Sequence, residues 1–368
     1  MMWQLWRSRR ERTLTQALDD RIRRWPMRRN PGIPPQLYIV SGSEQWQYVA
    51  PGADVNQPFH MASIGKLFTA LLIMRLVERG RMRLDQAVCE LLDATTLQRL
   101  FVYDGVDYAA QVTVAQLLGH TSGVADYFEG RARGAPSVMR QMVSDPEHIW
   151  TPSELLAFTR THQRAQAAPG SNFHYSDTGY ILLGLMIEND MGMPLEECLH
   201  HELFAPLGMH RSYLMHRGLP IEMPAPAIAP VWLAGHEVSQ FRSVSSDWAG
   251  GGIVSTPADA VRFMRALHSG TLLQPASLQH MMHAVHRFQP GLWYGLGMME
   301  VRFEEFFFLL RGLPRLYGHI GVVATHLWYE PLSETTIVLN VGDSTQMVAS
   351  FRLLIDVMNL LRTHARMT

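Results

Sequence analysis

The sequence predicts an α/β fold of the α+β type, in which an antiparallel sheet flanked by helices is joined to an all-helical lobe. Strand-like runs lie near both ends of the 368-residue chain, at residues 37–49 and again beyond residue 231. Between residues 84 and 228, apolar side chains recur mostly at helical spacing. Strands at both ends with a helical insertion between them predict two lobes.

The first stretch contains an arginine-rich helix, a proline-containing break and a β-hairpin, followed by an apolar helix. The hairpin strands are short β-branched and aromatic runs separated by a Ser-Gly-Ser turn. In chain order these elements are the helix at 14–25, the break at 31–35, the strands at 37–40 and 46–49, and the helix from Ser63 to Gly80.

Strand patterns return in the last third of the chain, and the final element is an amphipathic helix. The aromatic run at 306–310 is too short to span a membrane and is expected in a strand or hairpin. The predicted strands lie at 252–255, 295–302, 319–329 and 335–341, and the last helix at 348–363.

These elements predict that residues 1–83 and 230–368 form one discontinuous α/β lobe. Residues 84–229 would form the mainly helical lobe. Because ligand sites favour the crevice between two such units, we expect the functional site in the cleft between the lobes.

Composition is typical of a soluble globular protein, with 47% hydrophobic residues and a formal net charge of −1. This balance gives no electrostatic reason to expect a nucleic acid partner. The arginine-rich start lacks the apolar run of a signal peptide, and no stretch reaches the length of a membrane span, so we expect a cytoplasmic protein. Trp3 and Trp6, beside several arginines, leave contact with a membrane surface open. The oligomeric state is not readable from the sequence.

A serine at the start of the apolar helix precedes a lysine by three residues. Because positions three apart share a helix face, the Lys66 amine can reach the Ser63 hydroxyl. A serine is a poor nucleophile until a neighbouring base takes its proton, and a partly desolvated lysine can do so. The same two residues are also compatible with a capping serine and a surface lysine.

Two later motifs add candidate functional groups. Tyr175 lies in the loop entering a helical run and could share a proton with Ser63 and Lys66, if its pKa falls beside a cationic lysine. Asp177 is compatible with a helix N-cap, with orienting the lysine or with binding substrate. His319, between glycines, could bind a substrate carbonyl or carboxylate, or be structural.

Competing motifs are weaker. A phosphate-binding loop would need glycine where His60 stands. The histidines at 200, 201 and 210 with Glu202 lack the His-Glu-x-x-His spacing, so we expect no metal site. The run Gly250-Gly251-Gly252 lacks a dinucleotide-binding pattern and is expected to form a tight strand edge lining the cleft.

The segments Ser63-x-x-Lys66, Tyr175-Ser176-Asp177 and His319-Ile320-Gly321 resemble, in order and spacing, the motifs of the penicillin-recognising serine hydrolases. That superfamily includes class C β-lactamases, DD-peptidases and family VIII carboxylesterases. Flanking segments at 117–123, 169–170, 180–184 and 249–256 also resemble the superfamily, so the likeness spans nearly the whole chain.

The resemblance implies a β-lactamase/transpeptidase-like fold and acyl transfer through Ser63, without a metal or organic cofactor. Lys66 and Tyr175 would form the proton-shuttling pair, and the backbone N–H groups of Ser63 and Val322 the oxyanion hole. Asp177, His319 and Gly321 would contact a small-molecule ester, amide or peptide substrate.

Two departures from the family motifs bear on the substrate. Asp177 stands where an asparagine is usual, and it adds negative charge near Lys66. The sequence His-Ile-Gly replaces Lys-Thr-Gly, whose lysine holds the carboxylate of penicillins. Both changes favour a neutral ester or amide, so a carboxylesterase is the first hypothesis. A D-amino-acid-specific peptidase or amidase, a weak β-lactamase and a non-catalytic binding protein remain as alternatives.

Overall fold

The computed structural model describes residues 2–25, 35–42, 45–223 and 226–365, with backbone alone for residues 2–12 and 365. Residues 31–34 of the predicted break, and the side chains of Trp3 and Trp6, lie outside the described part.

The strands range from two to six residues, and the longest belong to one large sheet. In chain order they are β1 Gln36–Ser41, β2 Trp46–Val49, β3 Phe59–His60, β4 Val102–Tyr103, β5 Val106–Asp107, β6 Tyr213–Leu214, β7 Trp232–Leu233, β8 His236–Glu237, β9 Ile253–Ser255, β10 His286–Gln289, β11 Leu292–Tyr294, β12 Met299–Val301, β13 Leu316–Gly321, β14 Thr325–Glu330 and β15 Thr335–Asn340.

The helices are concentrated between the two strand-rich stretches and at the chain ends. In chain order they are α1 Met2–Arg23, α2 Gly65–Glu78, α3 Ala94–Leu97, α4 Val114–Leu118, α5 Val138–Ser144, α6 Pro152–His162, α7 Asp177–Met191, α8 Leu195–Leu199, α9 Trp248–Gly251, α10 Pro257–His268, α11 Pro275–Met282 and α12 Met347–Ala365.

The large sheet is antiparallel, with strand order β10-β11-β12-β13-β14-β15-β1-β2. The first hairpin therefore joins the last strands, and Gln36 pairs with Asn340. Neighbouring residues of β15 face opposite sides of the sheet. Val338 packs in the core cluster that includes α10, and Ile337 packs in the cluster that includes α1 and α12. Because both faces are covered, every residue of β14 and β15 is buried. The predicted α+β class is confirmed.

The helical part is built around α2 and α7, which are buried on nearly all sides. Gly184 of α7 makes a close approach possible, because a Cβ there would lie 2.6 Å from the Ala249 Cβ of α9. Helices α2, α7 and α9 are thus packed together below the segment that carries Ser63.

Several predicted elements are confirmed, including both hairpin strands, the last helix and the end of α2, where Gly80 has φ +70°. The single strand predicted at 319–329 is wrong: β13 and β14 form a hairpin whose turn contains Ala324 at φ +57°. No turn-forming glycine or proline marks this break, which explains why the apolar pattern looked continuous.

The aromatic run at 306–310 is not in a strand either. It lies in a region of short 3-10 turns in which Phe307, Phe308 and Leu309 are exposed. The strand predicted at 295–302 is shorter and comprises only β12. The stretch predicted to be mostly helical, residues 84–228, also contains the short hairpin β4–β5. The lobe boundaries at 83/84 and 229/230 stay a prediction.

Candidate active site

A cavity of about 330 Å³ holds Ser63, Tyr175 and Asp177 on its wall. Its lining comes from the segment before α2, the start of α7, the region around α9 and the sheet strands β10, β12 and β13. Ser63 and Tyr175, which are 112 residues apart in sequence, thus lie at one cavity that is large enough for a small molecule.

Ser63 lies in a 3-10 turn, Ala62–Ile64, that runs directly into α2. Ala62 has φ +49°, a conformation that is uncommon for a residue with a side chain. Strand β13 reaches this turn through Gly321, since a Cβ there would lie 2.7 Å from the Ala62 Cβ and 2.2 Å from Thr325 Oγ1. Thr325 in turn donates a hydrogen bond to the Met61 carbonyl at 3.2 Å. The nucleophile candidate is therefore held by the sheet as well as by its helix.

Lys66 is fully buried, and all three hydrogens of its ammonium group have an acceptor. The Nζ atom is 3.1 Å from Ser63 Oγ and 2.7 Å from the Gly250 carbonyl oxygen, and it bonds to the Asp177 carboxylate. Gly65 and Gly251 permit this arrangement, because a Cβ on Gly65 would lie 3.0 Å from the Gly251 Cα. The lysine is thus fixed between the candidate nucleophile and a carboxylate.

Tyr175 precedes α7, as predicted, and lines the same cavity wall as Ser63. The Lys66 Nζ lies 5.0 Å from its ring centroid, and the His120 ring centroid is 4.2 Å away. Burial, and secondarily the Asp177 charge, raise the pKa of Tyr175 well above its usual value. The condition for Tyr175 to act as a base, a pKa lowered beside a cationic lysine, is not met, and the phenol keeps its proton at neutral pH.

Asp177 is the first residue of α7, and the N-cap position belongs to Ser176. Its carboxylate binds Lys66, while its backbone N–H donates to Asp126 Oδ1 at 3.0 Å. Of the roles left open by the sequence, the geometry supports orientation of the lysine. The side chain also lines the cavity, so contact with a substrate stays a prediction.

His319 does not reach the cavity, in contrast to the predicted role in substrate binding. It is completely buried, with Nε2 3.0 Å from the Tyr294 hydroxyl and Nδ1 2.6 Å from the Ile320 carbonyl oxygen. Burial, and secondarily the Lys66 charge, lower the pKa of His319 to about 3, so the ring is neutral. Its neighbours Ile320 and Val322 line the cavity instead, because alternate residues of a strand face opposite sides.

Gly321 is likewise absent from the wall of the cavity and contributes through close packing against Ala62. The glycine run also differs from expectation. Gly250 and Gly251 do line the cavity, but they belong to the short helix α9 rather than to a strand edge. The oxyanion-hole assignment of Ser63 and Val322 stays a prediction.

Sequence reasoning missed Asp126, Glu129 and Asp247, which all line the cavity. Asp126 accepts backbone hydrogen bonds from Phe128, Glu129, Gly130 and Asp177. Burial, and secondarily the Asp177 charge, raise the pKa values of Asp126 and Asp247 to about 7. The sequence did contain a signal for two of these residues. Asp126 and Asp247 are each the one acidic residue in a run of otherwise apolar or small residues, at 122–128 and 243–254.

The histidine-rich segment is structural, because Glu202 forms ion pairs with Arg75 and Arg79. Within the described ranges, no group of three or more His, Cys, Asp or Glu side chains is arranged to hold a metal ion. None of the helices in the described part of the chain carries an apolar stretch of the length that a bilayer crossing requires.

Comparison with known proteins agrees with this geometry. A family model described as beta-lactamase matches residues 36–349. Penicillin-binding protein 4 of Amycolatopsis lactamdurans is 28% identical over 221 residues, covering 56% of this chain and 50% of the relative. The chain spans about half the length of the curated relatives it matches, with coverage of the relative between 33% and 60%.

Among solved structures, the D-amino acid amidase of Ochrobactrum anthropi SV3 in complex with L-phenylalanine amide superimposes with a TM-score of 0.76, at 24% identity, over 95% of this chain and 99% of the amidase. EstCE1, described as a hydrolase with promiscuous acyltransferase activity, gives a TM-score of 0.68 at 18% identity over 98% and 99% of the two chains. At these identities, the likeness establishes the β-lactamase/transpeptidase-like fold.

Proposed function

Because the chain belongs to the beta-lactamase family, within the penicillin-recognising serine hydrolase superfamily, we propose that it hydrolyses small esters or amides through an acyl-enzyme on Ser63. The observation that carries this proposal is the position of Lys66, whose Nζ lies 3.1 Å from Ser63 Oγ at the wall of the cavity. A serine with an adjacent amine inside a small cavity is the arrangement that nucleophilic catalysis needs.

In the first step, Lys66 must become a proton acceptor. Its ammonium gives one proton to the Asp177 carboxylate along their hydrogen bond, which leaves a neutral amine beside Ser63. Ser63 Oγ then attacks the substrate carbonyl and transfers its own proton to Nζ. The Gly250 carbonyl keeps the amine in place during both transfers. The developing oxyanion would be held by the backbone N–H groups of Ser63 and Val322.

Tyr175 acts as the proton donor in this scheme. Because its pKa is raised, the phenol is neutral and can protonate the leaving alkoxide or amine, and it regains a proton from the Lys66 ammonium. Water then attacks the acyl group on Ser63, with the same groups acting in reverse order. No step needs a metal or an organic cofactor.

An ester is our first choice of substrate. No lysine or arginine is among the described residues that line the cavity, so nothing there is placed to pair with the carboxylate of a penicillin. His319, where related enzymes carry lysine, is neutral and buried. The likeness to the amidase supports an amidase or a D-amino-acid-specific peptidase as the second candidate, ahead of a weak β-lactamase. A non-catalytic binding protein is the third.

The test is hydrolysis of short-chain p-nitrophenyl esters together with covalent labelling by a fluorophosphonate probe. We expect both to be lost in Ser63→Ala, with ester turnover lower by about 10³-fold or more. Ser144→Ala, which removes an exposed serine outside the cavity, is the matched control and should leave both unchanged. Faster turnover of amides than of matched esters would favour the amidase, and absence of labelling in the wild type would favour a binding protein.

A further inference from the structure

The wall of the cavity is unusually acidic. Four carboxylates line it, from Asp126, Glu129, Asp177 and Asp247, and no cationic side chain is among its described lining residues. Lys66 lies behind the wall, and among the described residues Asp177 is its one ion-pair partner. The site that presents Ser63 therefore presents more negative than positive charge to a ligand.

The four carboxylates are not equivalent. Asp177 is paired with Lys66, and Asp126 is tied to the fold by four backbone N–H groups. The carboxylates of Glu129 and Asp247 accept no hydrogen bond from any described residue. These two carboxylates remain available to a ligand, Asp247 from a mostly buried position and Glu129 from an exposed one.

A neutral histidine ring lies beside Asp247. His60 Nε2 lies 3.7 Å from Asp247 Oδ2 and has no hydrogen-bond partner, although His60 is only 4% exposed. His60 Nδ1 accepts a hydrogen bond from the Ala62 N–H at 3.1 Å, so the neutral ring carries its proton on Nε2, facing Asp247. Burial lowers the pKa of His60 to about 4 and keeps it neutral.

Most of the remaining wall is apolar, while Ser63, Tyr175 and Gln289 add polar groups. The apolar side chains are those of Phe128, Phe288, Met299, Ile320, Val322 and Met347. A ligand that matches this surface would bring a positive charge for the carboxylates and an apolar group for the remaining wall.

We propose that the acyl group transferred to Ser63 carries a protonated amine, bound by Asp247 with Glu129, next to a small apolar side chain. The corresponding substrates are esters or amides of amino acids, or peptides with a free amino terminus. This inference rests on the proposed acyl transfer and narrows its substrate class from small esters or amides in general to those whose acyl group carries a positive charge. Burial raises the pKa of Asp247 to about 7, and a bound ammonium group would shift this carboxyl toward its ionised form.

The test compares benzyl esters of alanine, as both enantiomers, with benzyl isobutyrate at pH 7. The two acyl groups have nearly the same shape and differ in an ammonium group against a methyl group. In Asp247→Asn we expect kcat/KM for the preferred alanine ester to fall about 10- to 100-fold, mainly through KM, with less than about a threefold change for the isobutyrate. Glu129→Gln should act in the same direction. Because each variant is compared with the wild type on both esters, the intrinsic reactivity of the aminoacyl ester cancels.

Inhibition gives a second measurement that does not depend on turnover of the amine. Alaninamide should inhibit isobutyrate hydrolysis more strongly than isobutyramide does, and Asp247→Asn should remove the difference. Equal losses on both esters in Asp247→Asn, or equal inhibition by the two amides in the wild type, would overturn the amine proposal while leaving Ser63-dependent hydrolysis intact. If neither ester is hydrolysed and no probe labels Ser63, the proposed function fails, and the amine proposal with it.

Discussion

Lys66 forms a buried ion pair with Asp177, and the same ammonium group is 3.1 Å from the hydroxyl of Ser63. A related enzyme with asparagine at this position would offer the lysine a neutral partner. An aspartate instead offers the lysine a carboxylate and adds negative charge to the cavity wall. The identity of residue 177 therefore bears on both the hydrogen-bond partner of the candidate base and the charge of acceptable substrates.

We predict that Asp177→Asn increases hydrolysis of a chromogenic cephalosporin by at least about threefold, because repulsion of the substrate carboxylate falls. Glu129→Gln is the matched control, since it removes a carboxylate from the same wall without touching Lys66. Equal gains in both variants would assign the effect to wall charge alone. No gain, or a loss, in Asp177→Asn would contradict the repulsive role.

Tyr175→Phe should lower kcat for esters by about 10²- to 10⁴-fold with little change in KM, because it removes the proton donor and leaves the shape of the cavity nearly unchanged. Since burial raises the pKa of Tyr175, its deprotonation should not contribute to the pH–rate profile between pH 6 and 9. Full pH profiles of the wild type check this point. A basic limb that disappears in Tyr175→Phe would show that the phenolate is the active form.

Asp126→Asn should destabilise the protein by about 2–4 kcal/mol, although the substitution barely changes volume. Each of the two carboxylate oxygens accepts hydrogen bonds from two backbone N–H groups. The side-chain NH₂ of asparagine, itself a donor, would therefore face two N–H donors and no acceptor. Urea denaturation measures the loss. Asp85→Asn, at a side chain that is 84% exposed, should change the free energy of unfolding by less than about 0.5 kcal/mol. Comparable effects of the two substitutions would contradict the structural role of Asp126.

The sequence was sufficient to predict the fold class and the proximity of Ser63 and Lys66, because three-residue spacing on a helix is a local property. It was insufficient for His319, whose orientation depends on which face of β13 meets the cavity. A shift of one residue in the strand exchanges His319 for Ile320 on the wall.

The acidic wall illustrates the other limit of sequence reasoning. Asp126 and Asp247 come from segments 121 residues apart that meet only after α7 and α9 pack together. The pKa of Tyr175 is out of reach of the sequence for a related reason. Its direction depends on the extent of burial and on the Asp177 charge, and neither can be read from the distance to Lys66 along the chain.

Binding of an amine-bearing substrate should depend on pH through Asp247. Burial, and secondarily Asp177, raise the pKa of Asp247 to about 7, while Lys66 acts in the opposite direction and His60 remains neutral. Because the pKa is raised, the carboxylate is mostly protonated at pH 5.5 and about half ionised at pH 7. An α-amino group with a pKa near 8 stays largely protonated throughout this range.

We therefore expect KM for the alanine benzyl ester to fall about 15-fold as the pH rises from 5.5 to 7, since the ionised fraction of Asp247 grows by about that factor. Benzyl isobutyrate, which carries no charge, should show no such change in KM. In Asp247→Asn the pH dependence of KM for the alanine ester should disappear, because residue 247 no longer titrates. A KM that falls equally for both esters, or that keeps its pH dependence in Asp247→Asn, would assign the titration to a group other than Asp247.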